Sequence, residues 1–359
     1  MDEIIAPLRS ALLAAAAAGR PVDICGGGSK RFYGNPGEGD ALDVTPCHGI
    51  LSYEPTELVI TARAGTPLAE IESAMREQGQ MLGFEPPHFG GSATLGGCIA
   101  TGLSGPRRPW AGAARDFVLG MRILDGRGND LRFGGQVMKN VAGYDVSRLM
   151  TGSLGTLGII LEVSLKALPL PPAEITVRLD MNQADALQRM NGWAAKPLPI
   201  TASCHVDGQL FLRLSGAATA VKAAADTIGG EPVEDGDMFW QQIRDHRHRF
   251  FDGNEDGDAA LWRLSLRSTS PPLDLKGDQL LEWNGSLRWL RSTADAGTVR
   301  RAAAAHGGHA TLFRPGANGI CPDGAFHPLP DTLMRLHRRV KSALDPDGIF
   351  NAGRLYPGL

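Results

Sequence analysis

The chain lacks any Cys-x-x-Cys pair: its five cysteines, Cys25, Cys47, Cys98, Cys204 and Cys321, stand far apart. That spacing argues against a zinc knuckle or an iron–sulfur cluster held by this chain alone. An odd number without a framework fits reduced thiols in a cytosolic protein. Positive charge is not in excess either. Lys and Arg number 36 against 39 Asp and Glu, for a net charge of −3, so there is no general electrostatic case for nucleic acid or an anionic membrane. No apolar run approaches the ~18 residues of a membrane span. Asp2 and Glu3 carry acid where a signal peptide carries base. No Ser/His/Asp set and no paired carboxylates are evident, which argues against a hydrolase.

What is abundant is glycine: 46 of 359 residues, nearly twice the ~7% of an average chain. The excess clusters in residues 26–39, 90–105 and 152–158, so it marks specific turns rather than low complexity. Gly26, Gly27 and Gly28 follow the short apolar segment Pro21–Cys25 and precede Ser29 and Lys30. A run without Cβ atoms turns sharply at positive φ and points successive N–H groups at one spot, a nest that suits phosphate. A flexible surface turn is the alternative for a triplet standing alone. It is not a Walker loop, because the order is Ser29-Lys30 and Pro36 soon breaks any helix. Nor does it have the spaced glycines of the parallel dinucleotide fingerprint. Two further turns follow, Thr94-Leu95-Gly96-Gly97 with Ser104-Gly105 beyond it, and Gly152-Ser153-Leu154-Gly155 running through Gly158 into Ile159. Three such turns suggest a long ligand with a pyrophosphate, held on main-chain donors; a glycine-rich structural core is the alternative.

Residues 20–169 alternate β-rich runs with these turns. Leu58–Ala62 reads as a strand, and Thr66-Pro67 as the N-cap and first residue of a helix to Gln78. Phe117–Leu124 and Asn129–Phe133 flank a hairpin signal at Asp125–Gly128. A short helix is expected at Tyr144–Met150 and a strand at Ile159–Leu165. Pro169, Pro171 and Pro172 form the best domain boundary. Beyond it, Glu174–Leu179, Gln183–Ala195, Ile200–Val206, Gln209–Leu214 and Ala217–Ile228 follow a β-α-β-β-α order, that of a ferredoxin-like α+β unit. Asp235–Gly257 reads as a solvated, charged helix and loop containing His246 and His248. A tight turn at Trp283–Ser286, a helix at Ala294–His306, a strand at Ala310–Phe313 and a basic helix at Thr332–Leu344 complete the pattern, with no further internal repeat. His306-Gly307-Gly308-His309 is either a helix stop followed by a strand or a ligand pair. His88 is either a ligand contact or turn packing, and Arg107, Arg108 and Arg115 either bind an anion or face a partner chain.

The order strand-Gly-Gly-Gly-Ser, Thr-Leu-Gly-Gly, then Gly-Ser-x-Gly-Thr-Leu-Gly-Ile is similar to the vanillyl-alcohol-oxidase (PCMH) type of FAD-binding fold. Within it, Gly83–Phe89, Gly102–Pro109, Phe133–Leu149 and the tail Phe350–Tyr356 resemble the FAD-binding (E) subunits of glycolate oxidase. The resemblance covers essentially the whole chain. It implies an α+β fold with a two-subdomain FAD-binding domain at 1–170, a smaller ferredoxin-like cap at 171–320, and a segment at 321–359 that packs back on the FAD domain. It further implies that Gly26, Gly27, Gly28, Ser29 and Lys30 wrap the FAD pyrophosphate. Pro87, His88, Thr94, Gly96 and Gly97 would line the phosphate and ribityl side, and Ser104, Gly105, Gly155, Gly158 and Ile159 the adenosine end. Asn351 and Arg354 would lie near the flavin ring. No residue is assigned as catalytic and none as a metal ligand.

Departures from the wider family qualify what is carried over. Members that bond flavin covalently often place His where this chain has Ser29, so dissociable, non-covalent FAD is expected. Related D subunits and D-lactate dehydrogenases carry Glu where Leu154 stands. The cap stretch His-x-Gly-Asp-Gly-Asn-x-His, linked in those relatives to the 2-hydroxy acid, has no counterpart beyond His306–His309. The implied role is therefore an electron-transferring subunit in glycolate oxidation. Its implied partners are a larger flavin-containing subunit and an iron–sulfur subunit, in the cytoplasm or, through those partners, at the inner face of the membrane. The alternatives are a scaffold with a vestigial flavin fold and a self-sufficient 2-hydroxy acid dehydrogenase.

Overall fold

A computed structural model describes residues 3–135, 144–252, 258–317 and 319–359. They form two compact units: residues 1–104, 113–170 and 328–359, and residues 105–112 and 171–327. The matching stretch Phe133–Leu149 and the charged segment Asp235–Gly257 each lie partly outside the described residues, at 136–143 and 253–257.

The first unit begins with α1 (Ile5–Ala17), followed by the parallel pair β1 (Val22–Cys25) and β2 (Asp40–Asp43). Ile5, Leu8, Leu12 and Ala15 recur at helical spacing, and that face of α1 is buried against Val22, Leu42, Ile159 and Phe350. Full burial of Leu12 alone contributes about 2 kcal/mol. Next come β3 (Ile50–Glu54), β4 (Val59–Arg63), α2 (Leu68–Glu77), β5 (Gln80–Met81) and α3 (Leu95–Thr101). Thr66 does not cap α2. Its hydroxyl accepts from the Gly49 N–H at 2.9 Å, and Pro67 stands just ahead of the helix. The short α4 (Arg108–Ala111) belongs to the second unit.

The first unit continues with α5 (Ala114–Phe117), β6 (Val118–Leu124), β7 (Asp130–Gly134), α6 (Val146–Met150), β8 (Ile159–Lys166) and β9 (Leu168–Pro169). Strands β3-β4-β8-β6-β7 form an antiparallel sheet, and β5 pairs with β9. β8 lies at the centre and is buried along nearly its whole length, which explains its unbroken run Ile159-Ile160-Leu161 instead of a polar alternation.

The second unit carries β10 (Ala173–Asp180), α7 (Gln183–Ala194), β11 (Ile200–Val206), β12 (Gln209–Gly216), α8 (Ala218–Ile228), β13 (Glu231–Pro232) and α9 (Gly236–Arg244). It continues with β14 (Ala260–Ser265), β15 (Asp278–Glu282), β16 (Leu287–Ser292), α10 (Ala296–Ala305) and β17 (His309–Arg314). All eight strands form one sheet in the order β13-β10-β12-β11-β15-β16-β14-β17. Its first half, taken in chain order, runs fourth-first-third-second, the ferredoxin-like arrangement expected from the β-α-β-β-α pattern. Its second half repeats that order in mirror sequence, second-third-first-fourth, and the two halves join where β11 pairs with β15.

That duplication corrects the reading of no further repeat. The second copy has no helix between β14 and β15; Ser270-Pro271-Pro272 lies there instead, so the periodic signal is absent.

The last helix, α11 (Asp331–Leu344), and the tail belong to the first unit. The Val22 N–H donates to Ile349 O at 2.8 Å and the Asn351 N–H to Val22 O at 3.0 Å, extending the β1–β2 pair by a third parallel segment. Buried Lys341 fixes this return through Thr156 O at 2.9 Å, Phe350 O at 2.8 Å and Asp345 Oδ2 at 2.8 Å.

Candidate functional site

At the end of β1 the backbone leaves its ladder and turns through Gly26–Lys30. The three glycines are needed for different reasons. Only Gly28 has positive φ, at +73°, and its missing side chain would meet almost nothing. A Cβ on Gly27 would fall 1.4 Å from Ser92 O, and one on Gly26 2.6 Å from Thr94 Oγ1. The turn therefore lies directly on residues 92–94. In that position the N–H groups of Gly27, Gly28 and Ser29 find no acceptor among the described residues. Successive undirected amides of this kind make an anion-binding nest. Beside them, buried Lys30 holds its ammonium 3.2 Å from Ser29 Oγ and 3.2 Å from His88 O, above the ring of Phe89.

A cavity opens on this turn, lined by Asp23–Arg31, Thr94, Gly97, Ala100, Thr101, Leu154, Asn351 and Arg354. Its volume of about 80 Å³ falls far below the roughly 300–1,000 Å³ of a pocket enclosing a whole ligand. Its size matches a phosphate-sized part of one. Asp23 and Arg31 form an ion pair on its wall. Cys25 also lines it, and burial, with Asp23 and Asp43 nearby, pushes its thiol pKa up. Buried Cys98 is pushed up to about 12 by desolvation, which disfavours its thiolate.

Nine of the expected residues meet at this cavity: Gly26, Gly27, Gly28, Ser29, Lys30, Thr94, Gly97, Asn351 and Arg354. Thr94 caps α3, accepting from the Gly97 N–H at 3.3 Å. Asn351 joins two walls: its Oδ1 accepts from the Ile24 N–H at 2.7 Å and its Nδ2 donates to Leu154 O at 2.6 Å. Arg354 donates to Arg31 O, Asn35 O and Tyr33 O at 2.7–3.2 Å, and burial lowers its pKa. These two tail residues hold the loops in place.

The other expected residues lie outside the cavity lining. His88 pairs through Nε2 with Glu72 at 3.0 Å, and Pro87 precedes it. Gly96 is packed on Ala64, whose Cβ would stand 2.8 Å from a Cβ placed there. Ser104 Oγ accepts from the Ala114 N–H at 3.0 Å. Gly105 lies in the second unit, where its carbonyl accepts from Trp283 Nε1 at 3.1 Å. Gly155 takes φ +75° against Asn351, while Gly158 and buried Ile159 lead into β8. Sequence reasoning missed Ala100, Thr101 and Arg31 in the lining. The α3 residues carry no motif of their own, but Ala100 and Thr101 stand three and four positions after Gly97, which places them on the same face of that helix.

The histidine and arginine alternatives also resolve. His246 is not on a solvated face: it is buried, stacked at 3.8 Å on Phe251 and edge-on to Trp289. Burial, with Arg314 and Arg263 nearby, holds its pKa well below the ordinary value. Its stacking partner Phe251 follows a polar stretch, and Trp289 and Phe313 are remote in sequence, which hid the burial. His306 ends α10, Gly307 turns at φ +70°, and His309 starts β17, the helix-stop reading. Arg107 is buried in an ion pair with Glu174 at 2.8 Å, and Arg108 stacks 4.4 Å over the Trp283 ring. Arg115 is exposed.

Residues 5–134 match the FAD binding domain family. The chain is 50% identical over 339 residues to glycolate oxidase subunit GlcE of Escherichia coli (strain K12), covering 94% of this chain and 93% of that protein. It is 33% identical over 154 residues to glycolate oxidase subunit GlcD of Bacillus subtilis (strain 168), covering 42% of this chain and 33% of that one. In fold it is similar to an alkyldihydroxyacetonephosphate synthase, with a TM-score of 0.65 at 15% identity over 96% of this chain and 74% of the other. With half its residues shared along nearly its full length, the chain belongs to the glycolate oxidase subunit GlcE family of FAD-binding oxidoreductases.

Proposed function

We infer that this chain is the FAD-binding subunit of a glycolate-oxidising complex, that it holds FAD without a covalent bond, and that it carries electrons between that flavin and its partners. The observation that carries the reading is the row of undirected amides at Gly27, Gly28 and Ser29 beside the Lys30 ammonium. A pyrophosphate satisfies such donors and gains from the charge. The buried Ser153 hydroxyl, with no partner among the described residues, is a further polar atom that a bound ligand would satisfy. Ser29 supplies no nucleophilic ring nitrogen for a bond to flavin, so the cofactor is dissociable.

When bound, FAD supplies the two-electron and one-electron redox chemistry that no side chain provides. The chain's own residues bind and orient. The Gly26–Lys30 turn fixes the phosphates with Thr94 and Gly97 beside it, Asn351 ties β1 to the Leu154 turn, and Arg354 holds the loop that follows Lys30. Supporting a relay role over substrate oxidation on this chain, the cap has no His-rich substrate stretch, and His306 and His309 sit at a helix stop. The partners in this reading are a larger flavin subunit and an iron–sulfur subunit, acting at the cytoplasmic side of the membrane. Among the described residues no helix is long and apolar enough to cross a membrane.

The test is the visible spectrum of the purified chain with FAD, before and after anaerobic addition of glycolate. A bound flavin spectrum that glycolate alone leaves unbleached, but that bleaches once the partner subunits are added, is expected. Protein that stays colourless with FAD defeats the reading. Bleaching by glycolate in the isolated chain replaces it with a self-sufficient dehydrogenase.

A further inference from the structure

The sole fully buried side chain of α11 is Lys341, the anchor of the tail. On another side of the same helix, Leu333, Leu336, Val340 and Ala343 recur at 3-4-3 spacing, the seam of a helix that packs against another helix. Leu333 is 44% exposed and Leu336 53%, Val340 is half-buried and Ala343 exposed. Arg335 and Arg339, four residues apart, line one edge of the seam, exposed and in no ion pair among the described residues, while Arg338 falls on the opposite face of the helix. At the end of the helix Arg127 donates to Ala343 O at 3.1 Å. The neighbouring turn glycine, Gly128, lies against Leu13 of α1, itself 41% exposed. The apolar strip of α11 thus ends at the Arg127–Gly128 turn, against which Leu13 of α1 lies, and Arg335 and Arg339 line its edge.

We propose that this strip is the docking surface for an acidic amphipathic helix of a partner polypeptide in the complex. The inference rests on the reading of this chain as a subunit, and adds where and with what chemistry it is held. The charge decides between occupants. A second copy of α11 would set Arg339 against Arg339, whereas Asp or Glu flanking a Leu or Ile seam satisfies the arginines on contact. The seam is also narrow and carries no Trp or Phe, unlike the broad apolar face of a helix that lies in a lipid interface.

The full chain, tagged, is co-expressed with the other subunits of its glycolate oxidase complex and compared with Leu336→Glu and Arg339→Glu. Both residues are exposed and outside the lining of the flavin cavity, so each variant should keep its thermal midpoint and its FAD spectrum. Leu336→Glu is expected to weaken retention of the partners by about 30-fold or more, as at a buried interface anchor. Arg339→Glu is expected to weaken it about 5–10-fold, an effect that shrinks as salt rises. Wild type that assembles while both variants assemble equally well overturns the docking surface and leaves the subunit reading standing. Wild type that associates with no partner overturns both. Self-association of the isolated chain, or binding to phosphatidylglycerol vesicles, that the variants abolish would also overturn it, by giving the strip a different occupant.

Discussion

Two turns in the first unit look alike in sequence and differ in what they do with their amides. Gly152–Thr156 uses four of its five donors within the fold: Gly152 N–H bonds Ile99 O, Leu154 N–H bonds Ala100 O, and Ser153 and Thr156 close local turns, leaving the Gly155 N–H alone without an acceptor among the described residues. Gly26–Lys30 leaves three consecutive donors, Gly27, Gly28 and Ser29 N–H, without an acceptor among the described residues. One turn braces the helix α3, and the other has the open amides that the proposed anion requires. Glycine content does not separate a ligand loop from a structural loop; the destination of the backbone N–H groups does.

The largest expected effect breaks the first turn sterically. In Gly27→Ala the new Cβ would stand 1.4 Å from a backbone oxygen, which cannot rotate away. The turn must lift off residues 92–94, and the protein should purify without flavin and bind added FAD at least about 100-fold more weakly, a loss of ~3 kcal/mol. In Gly155→Ala the clash is with the Asn351 side chain and the φ of +75° is strained, so stability should fall by about 1–2 kcal/mol. Flavin should be retained. Equal flavin loss in both variants would remove the distinction between the turns.

The second break is at the residue that ties the turns together. Asn351→Ala strips a partner from Ile24 N–H and from Leu154 O, leaving two polar groups inside the fold at a cost of about 2 kcal/mol. A lower midpoint in urea, with unchanged slope, measures the loss of stability. Flavin affinity should drop with it, since the walls of the cavity separate. Affinity that holds while stability falls would show that the tail acts on folding alone.

Much of this was legible beforehand. Gly26–Lys30 and Thr94 stand in glycine turns that the sequence itself marks, whereas Asn351 was placed beside them only by the family resemblance; all line one cavity. The fold was legible where periodicity was clean, as in α1 and in the β-α-β-β-α run of the cap. It failed where packing partners are remote. His246 was assigned to solvent because its neighbours in sequence are charged, whereas its neighbours in space are Phe251, Trp289 and Phe313. The doubled cap was invisible because one of its four helices is replaced by a proline segment. Gly105, read with the flavin turns, belongs by its hydrogen bond to Trp283 with the second unit.

A finer test leaves the backbone intact and changes only charge. Gly28 has open space around its missing side chain, and Asn tolerates its left-handed φ far better than most residues do. Gly28→Asn should therefore keep FAD within a few-fold of wild type. Gly28→Asp has nearly the same shape and adds a negative charge at the nest, and should weaken FAD by about 10–100-fold, less so at high salt. Titrations at two ionic strengths read the difference. Identical affinities in the two variants would mean that no phosphate sits on this turn.

The smallest effect bears on the turn that satisfies most of its own donors. Ser153 is buried and its hydroxyl has no partner among the described residues, an arrangement that costs about 1 kcal/mol unless a ligand supplies the bond. Ser153→Ala should then act with opposite signs in two states. The flavin-free protein should become more stable by up to ~1 kcal/mol as the orphaned group is removed. The flavin-bound protein should lose affinity by about 3–5-fold as one hydrogen bond disappears. Thermal midpoints with and without saturating FAD give both numbers. A gain in both states would show that the hydroxyl never meets the cofactor, and that the third turn is structural throughout.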